Sequence, residues 1–275
     1  MAVKLRKLLN RSLLGGLLFL LMLPTGFFFF WMISLALKPD VDNLAYPPVF
    51  IPSQLTLQNF RYVFENSPFG RFAMNSLIVA VASTGLSLLL GVPAGYGIAR
   101  SRRYGMALLI LVARMTPALS YLIPWFLLFQ QLGMANTYQA LILTHLIIGL
   151  PLVIWIMLGF FEDVHPELED AALIDGCSRF GSFLRVAVPL TRPGIVVAGI
   201  LAFIFSWNNF IFAVVLAGPK LQTLPVAVFN VLTFEQVNWG PLAAAALLIT
   251  APVLVLTVLV QKQIIAGLAA GGLKG

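Results

Sequence analysis

Apolar residues run through this chain in long blocks, and polar residues gather in short segments between them. A helix needs roughly 20 apolar residues to cross the hydrocarbon core of a bilayer. Blocks near that length predict spans over about 12–37, 70–99, 105–132, 138–160, 193–217 and 241–261. Pro24 predicts a kink or tilt in the first, and Pro117 and Pro124 interrupt the third. The fifth begins at Pro193. The segment of about 38–69 carries Pro47, Pro48 and Pro52 among Asp and Asn, which argues against a long regular element. A short turn near 133–137 joins spans three and four, a charged segment of about 161–192 joins four and five, and a loop of about 218–240 leads into the sixth. The expected fold is all-α: a single integral membrane domain over 1–275, with six transmembrane helices and a short helix between the fourth and fifth spans.

Composition supports lipid as the solvent. Of 275 residues, 60% are hydrophobic and 10% charged, too little charge to coat a soluble domain. The net charge of +7 reads as topology-setting rather than nucleic-acid-binding, because the basic residues sit between the apolar blocks. Twelve Lys and Arg fall on one side: four before the first span, Arg100, Arg102, Arg103, Arg179, Arg185, Arg192, Lys262 and Lys274. Four fall on the other, Lys38, Arg61, Arg71 and Lys220, and Arg114 lies inside a span. The excess of basic residues marks the cytoplasmic side, so both termini are expected there. The first block follows Lys4, Arg6, Lys7 and Arg11 as a signal peptide would, but it is too long and lacks a small-residue cleavage site. It reads as an uncleaved helix. Cys177 stands alone, which excludes an internal disulfide and a multi-thiolate metal site. No G-x-x-x-x-G-K-[ST] occurs, so the chain has no phosphate-cradling loop of its own.

Between spans four and five, Pro166 to Gly176 reads as one short helix with both ends written. Proline suits its first turn, Glu167, Glu169 and Asp170 complement its N-terminus, and Gly176 fits a left-handed closing residue. Ser178 is placed to cap a second helix from Arg179 to about Ala187, which Pro189 is expected to end. Leu168, Ala171, Ala172 and Asp175 share a face whose small centre lets another body approach closely. The acids argue against a helix resting on lipid headgroups, since such helices carry Lys and Arg.

Asp170-Ala171-Ala172, Asp175-Gly176 and Val188-Pro189 together resemble the Glu-Ala-Ala loop of binding-protein-dependent ABC import permeases. Asn75-Ser76-Leu77, Tyr96 to Arg100, Met115-Thr116-Pro117, Trp207-Asn208-Asn209 and the tail Gly267 to Gly275 narrow the resemblance to the carbohydrate-uptake branch, similar to the smaller permease subunit of the maltose transporter. It covers the chain from about Lys38 onward. Asp170 departs from the family's usual Glu and keeps the charge on a shorter stem. The resemblance implies a prokaryotic cytoplasmic-membrane protein that is not an enzyme. It implies a second homologous permease, two ATPase subunits and an extracytoplasmic solute-binding protein as partners. ATP and magnesium would bind the ATPase, leaving this chain without a cofactor. The implied ATPase-coupling residues are Glu169, Asp170, Ala171, Ala172, Asp175, Gly176, Arg179 and Pro189. The glycine-rich tail from Gly267 would be flexible and reach the ATPases, and the apolar stretch Leu224 to Leu232 would meet the binding protein.

No Asp or Glu lies well inside a span, which weakens an ion-coupled carrier and excludes a two-carboxylate intramembrane protease. His145 has no second ligand nearby and reads as a satisfied packing histidine. Arg114 lies about nine residues into its span, roughly 13 Å deep at 1.5 Å per residue. It is expected to face protein or water, either lining the translocation path or snorkelling or packing between helices, with backbone carbonyls or amides as its partners. Trp207, Asn208 and Asn209 combine an aromatic face for a sugar ring with amides for its hydroxyls. Gly91, Gly95 and Gly97 read as close-packing positions. The expected cargo is a sugar or oligosaccharide, with a polyol or glycerol phosphate as the alternative and a stand-alone secondary carrier as the rival.

Overall fold

The computed structural model describes the backbone of residues 2–231 and 238–272 and the side chains of residues 13–117, 119–229 and 238–261. It is helical, with no strand among the described residues. In chain order the helices are α1 (Ala2–Leu37), α2 (Asp40–Asn43), α3 (Gln58–Asn66), α4 (Phe69–Ser101), α5 (Tyr104–Met115), α6 (Ala118–Gln131) and α7 (Tyr138–Glu162). There follow α8 (Pro166–Ile174), α9 (Arg179–Ser182), a π-helical turn (Phe183–Ala187), α10 (Val188–Leu190), α11 (Arg192–Trp207), α12 (Ile211–Leu216), α13 (Leu224–Val231) and α14 (Trp239–Gly272). Among the described residues, four segments are long and apolar enough to cross a membrane unaided: Leu13–Leu37, Phe69–Ser101, Tyr138–Glu162 and Trp239–Gln261. Two bent pairs, at 88° across 115–119 and 76° across 190–192, bring the number to six if each pair is one span.

Two of the departures from expectation have a local cause in proline. Pro117 breaks the third, because the residue before a proline is driven out of helical conformation, and Thr116 is extended at ψ 125. Pro124 stays inside α6 without ending it. The fifth runs only to Trp207 and resumes at Ile211. Pro189 does not end the second loop helix. The preceding turn widens to π geometry, with the Val188 N–H reaching the Phe183 carbonyl, and the helical path continues to Leu190. That widening suits a ring that would otherwise clash with the carbonyl four residues back. The tail expected to be flexible is helical through Gly272, and 273–275 lie outside the described residues. Leu224 to Val231 is a helix, and Leu232 lies outside the described residues.

Contact density divides the chain into Met1–Pro68 with Val228–Thr250, and Phe69–Ala227 with Ala251–Gly275. In the first unit, the apolar window of α1 has none of its residues buried. The end of α1 is held by its own loop. Asn59 donates to the Ala36 and Lys38 carbonyls at 2.9 and 2.8 Å, satisfying acceptors that a helix end leaves orphaned. Lys38 is buried, donates to the Val49 carbonyl and lies 4.2 Å from the Trp31 ring centre. Burial lowers its pKa, and the nearby Asp42 carboxylate opposes that shift.

In the second unit, α4 packs along α7 and α11. The core joins Val92 and Ile98 of α4, Val153, Met157 and Phe161 of α7, Phe183 of the π turn and Ala198 of α11. Gly95 permits the approach, since a Cβ there would stand 3.1 Å from the Ile154 carbonyl oxygen and 3.2 Å from the Leu158 nitrogen.

Candidate functional site

Two regions carry the residues singled out by sequence, and the structure uses them differently. The first is the α8–α9 loop. Pro166 occupies the first turn of α8, where a missing N–H is harmless. The helix closes in a Schellman motif: Cys177 N–H donates to the Ala172 carbonyl at 2.9 Å and Gly176 N–H to the Leu173 carbonyl at 3.1 Å. Gly176 has φ +87, and a side chain there would meet no neighbour within 4 Å, so only backbone strain selects glycine. Ser178 caps α9, accepting the Gly181 N–H at 3.0 Å.

Glu169 does not face outward with its neighbours. It is buried, and its carboxylate accepts the Tyr96 hydroxyl at 2.5 Å and two Arg100 nitrogens at 2.9 and 2.5 Å. Arg100 also donates to the Phe161 and Val164 carbonyls, at 3.0 and 3.2 Å, so one guanidinium joins α4, the end of α7 and α8. The Tyr96 ring sits between Phe161 and Phe183, at 5.3 and 4.7 Å between centres. One helix turn sets the arrangement: Tyr96 and Arg100 are four residues apart and share a face.

With Glu169 turned in, the opposite side of α8 is open. Asp170, Ala171 and Asp175 are exposed, Arg179 is exposed on α9, and Ala172 is half-buried at the edge of the face it was expected to centre. Pro189 is half-buried on α10. The sequence reading missed the apolar contribution: Ile174 is 86% exposed and Phe180 68%. No local signal marked them, because which side of the loop turns inward is set by Tyr96 and Arg100 holding Glu169. A cleft of about 210 Å³ opens beside the ion pair, lined by Tyr96, Arg100, Glu169, Asp170, Leu173 and Arg179 among others. Water-exposed apolar side chains flanked by charges and a cleft suit a protein partner.

The second region lies where α5 breaks into α6 and α11 into α12. Arg114, in the last turn of α5, lies over the Phe205 ring of α11 at 5.5 Å. Beyond the breaks, Tyr121 of α6 stacks on Phe212 of α12 at 6.1 Å. These contacts set the two breaks side by side. Arg114 thus meets an aromatic face, not the carbonyls or amides expected of it, and it is half-buried with no ion pair among the described residues. Trp207 is buried and stacked on Phe203 at 5.6 Å, so its face is not open to a sugar ring. Asn209 accepts the Phe212 N–H at 3.3 Å, capping α12. Asn208 is exposed. Of the residues singled out at the paired breaks, Arg114 is half-buried and Asn208 exposed, and Thr116 and Ser120 beside them are exposed as well.

His145 is half satisfied. Its Nδ1 meets Ser206 Oγ at 2.7 Å, and Ser206 meets Ser83 at 2.9 Å, a chain across α7, α11 and α4. Its Nε2 has no partner among the described residues. No group of three or more His, Cys, Asp or Glu placed to hold a metal occurs among the described residues.

The sequence profile of the binding-protein-dependent transport system inner membrane component matches residues 87–268. The sulfoquinovosyl glycerol transport system permease protein SmoH of Agrobacterium fabrum is 36% identical over 249 residues, covering 89% of this chain and 87% of that protein. The trehalose transport system permease protein SugB of Mycobacterium tuberculosis is 36% identical over 251 residues, covering 89% of this chain and 91% of that one. Among solved structures, a bacterial ABC transporter involved in the import of the acidic polysaccharide alginate has a chain that superposes with a TM-score of 0.73 at 21% identity. The match covers 94% of this chain and 96% of that chain, a likeness of fold.

Proposed function

This chain belongs to the binding-protein-dependent transport system inner membrane components, and we propose that it passes a sugar or oligosaccharide. It is a multi-pass inner-membrane permease subunit, a transport component and not itself an enzyme. The wider reading places it beside a second homologous permease, above two ATPase subunits that bind ATP and magnesium, and beneath an extracytoplasmic binding protein. Both termini face the cytoplasm. The sugar assignment draws support from relatives named for trehalose and sulfoquinovosyl glycerol transport.

One observation carries the docking assignment: the open face of α8, where Ile174 and Phe180 stand exposed beside Asp170 and Ala171. A short helix seated in an ATPase cleft would pass rigid-body displacement to the helices above it. Arg114 and Asn208, at the paired breaks, are the assigned solute contacts. Discontinuous helices suit that role, because irregular backbone at membrane depth is tolerated where it lines a cavity.

The test reconstitutes this permease with its partner permease, ATPase and binding protein, and measures ATP hydrolysis and uptake against saccharides, polyols and glycerol phosphate. Stimulation by a saccharide supports the reading. Stimulation by glycerol phosphate alone overturns it, and Arg114, a cation without an acidic partner among the described residues, is the feature that favours that alternative. For topology, in a Cys177→Ser background, cysteine at the exposed Tyr46 should label from outside. Cysteine at Phe180 should label only after permeabilisation. The reverse pattern would overturn the orientation.

A further inference from the structure

We infer that Tyr96 and Arg100 are positioning residues that carry movement of the docking helix α8 into the membrane helix α4, with Glu169 as the grip between them. The inference rests on α8 being the ATPase-docking element and adds the route by which its movement enters the membrane.

Three observations support it. Covalently, α8 follows α7 after only Asp163, Val164 and His165, and it leads to α11 through the α9, π and α10 turns and the 76° bend at 190–192. Neither connection reaches α4, which lies far earlier in the chain. The polar link from α8 to α4 is the Glu169 carboxylate, held by three hydrogen bonds of 2.5–2.9 Å from Tyr96 and Arg100. The ion pair is mostly buried, with side-chain exposures of 22% for Arg100 and 9% for Glu169, so water is a poor substitute for either partner. Finally, α4 lies close against α7 at Gly95, where there is no room for a side chain, and Arg100 fastens it to the Phe161 and Val164 carbonyls. A displacement applied at Glu169 is therefore delivered to α4 and α7 as one block. The helices that carry Arg114 and Asn208 are broken where those residues stand, and such breaks are natural places for the block to move against its neighbours.

The experiment uses the complete transporter in proteoliposomes and measures copurification of the ATPase and solute molecules imported per ATP hydrolysed. Arg100→Gln should keep ATPase copurification while import per ATP falls about tenfold, within the range coupling residues command. Arg100→Lys should recover part of that loss, since its ammonium still pairs with Glu169 but cannot fork across the carboxylate and both carbonyls. Tyr96→Phe keeps the packed ring and should lower the ratio by about twofold to fivefold, the hydroxyl being one of three bonds to the carboxylate. Unchanged import per ATP in both Arg100→Gln and Tyr96→Phe would overturn the inference. So would loss of ATPase copurification in step with loss of import, which would mean that Arg100 only holds α8 in shape for docking. Ala171→Trp separates this from the docking assignment itself: if that variant still copurified the ATPase at wild-type level, α8 would not be the docking element. If it released the ATPase while Arg100→Gln stayed fully coupled, docking would stand and the route through α4 would fall.

Discussion

The cytoplasmic loop and the paired helix breaks each present a handful of polar residues, and they differ in how many of those the fold uses for itself. In the loop, one acid of the four on α8 and its closing turn is consumed: Glu169 turns inward, while Glu167, Asp170 and Asp175 stay exposed. At the breaks, Trp207 is packed away and Asn209 caps a helix, leaving Arg114 and Asn208. The solvent explains the contrast. At the aqueous surface, water satisfies a polar side chain at no cost, so the fold can leave acids free for a partner. In hydrocarbon, an unpaired polar group is expensive, so a larger share of them is drawn into local contacts.

The sharpest test of this contrast is Glu169→Ala against Asp170→Ala. Removing Glu169 leaves Arg100 and Tyr96 without their acceptor and should destabilise the packing of α8 by about 3 kcal/mol, the lower end for breaking a buried ion pair. Removing the exposed Asp170 should change stability by no more than about 0.5 kcal/mol. Hydrogen exchange of the α8 amides reads the difference, and equal protection in both variants would erase the distinction between inward and outward acids.

Gly176→Val comes next. A β-branched residue at φ +87 should strain the closing turn by about 1–2 kcal/mol and misdirect α9. ATPase copurification should fall while the membrane helices still insert. Full copurification with full solute-stimulated hydrolysis would remove this turn from the coupling machinery.

At the breaks, Asn209→Ala should cost about 1 kcal/mol through loss of the α12 cap, and Asn208→Ala should be close to neutral in thermal stability. Import should respond in the opposite order, with Asn208 the more sensitive. A larger stability loss for Asn208 would show that it too is a structural amide. Arg114→Leu should cost under about 1 kcal/mol of stability, the scale of a weak cation–π contact. Uptake should nevertheless fall with ATPase assembly intact, and unchanged uptake would reduce Arg114 to packing.

The long apolar blocks, the basic segments that interrupt them and the Pro166 to Gly176 pattern were legible in the chain itself. Span-length hydrophobicity, helix capping and a left-handed glycine are consequences of local chemistry, and each depends on residues close together in sequence. Ser178 as a cap and Gly176 at φ +87 follow from that same locality. Other features could not be read one segment at a time. Glu169 and Asp170 are adjacent and alike in charge, and only the arrival of Tyr96 and Arg100, 73 and 69 residues earlier, decides which of them is buried. Arg114 acquires an aromatic neighbour rather than a carbonyl because the α5 and α11 breaks align. The sequence by itself determined where the apolar blocks and the capped loop helix lie, because those depend on local hydrogen bonding and transfer from water to lipid. The tertiary structure decided which polar groups are consumed and which stay open, because that depends on what distant segments bring within hydrogen-bonding reach.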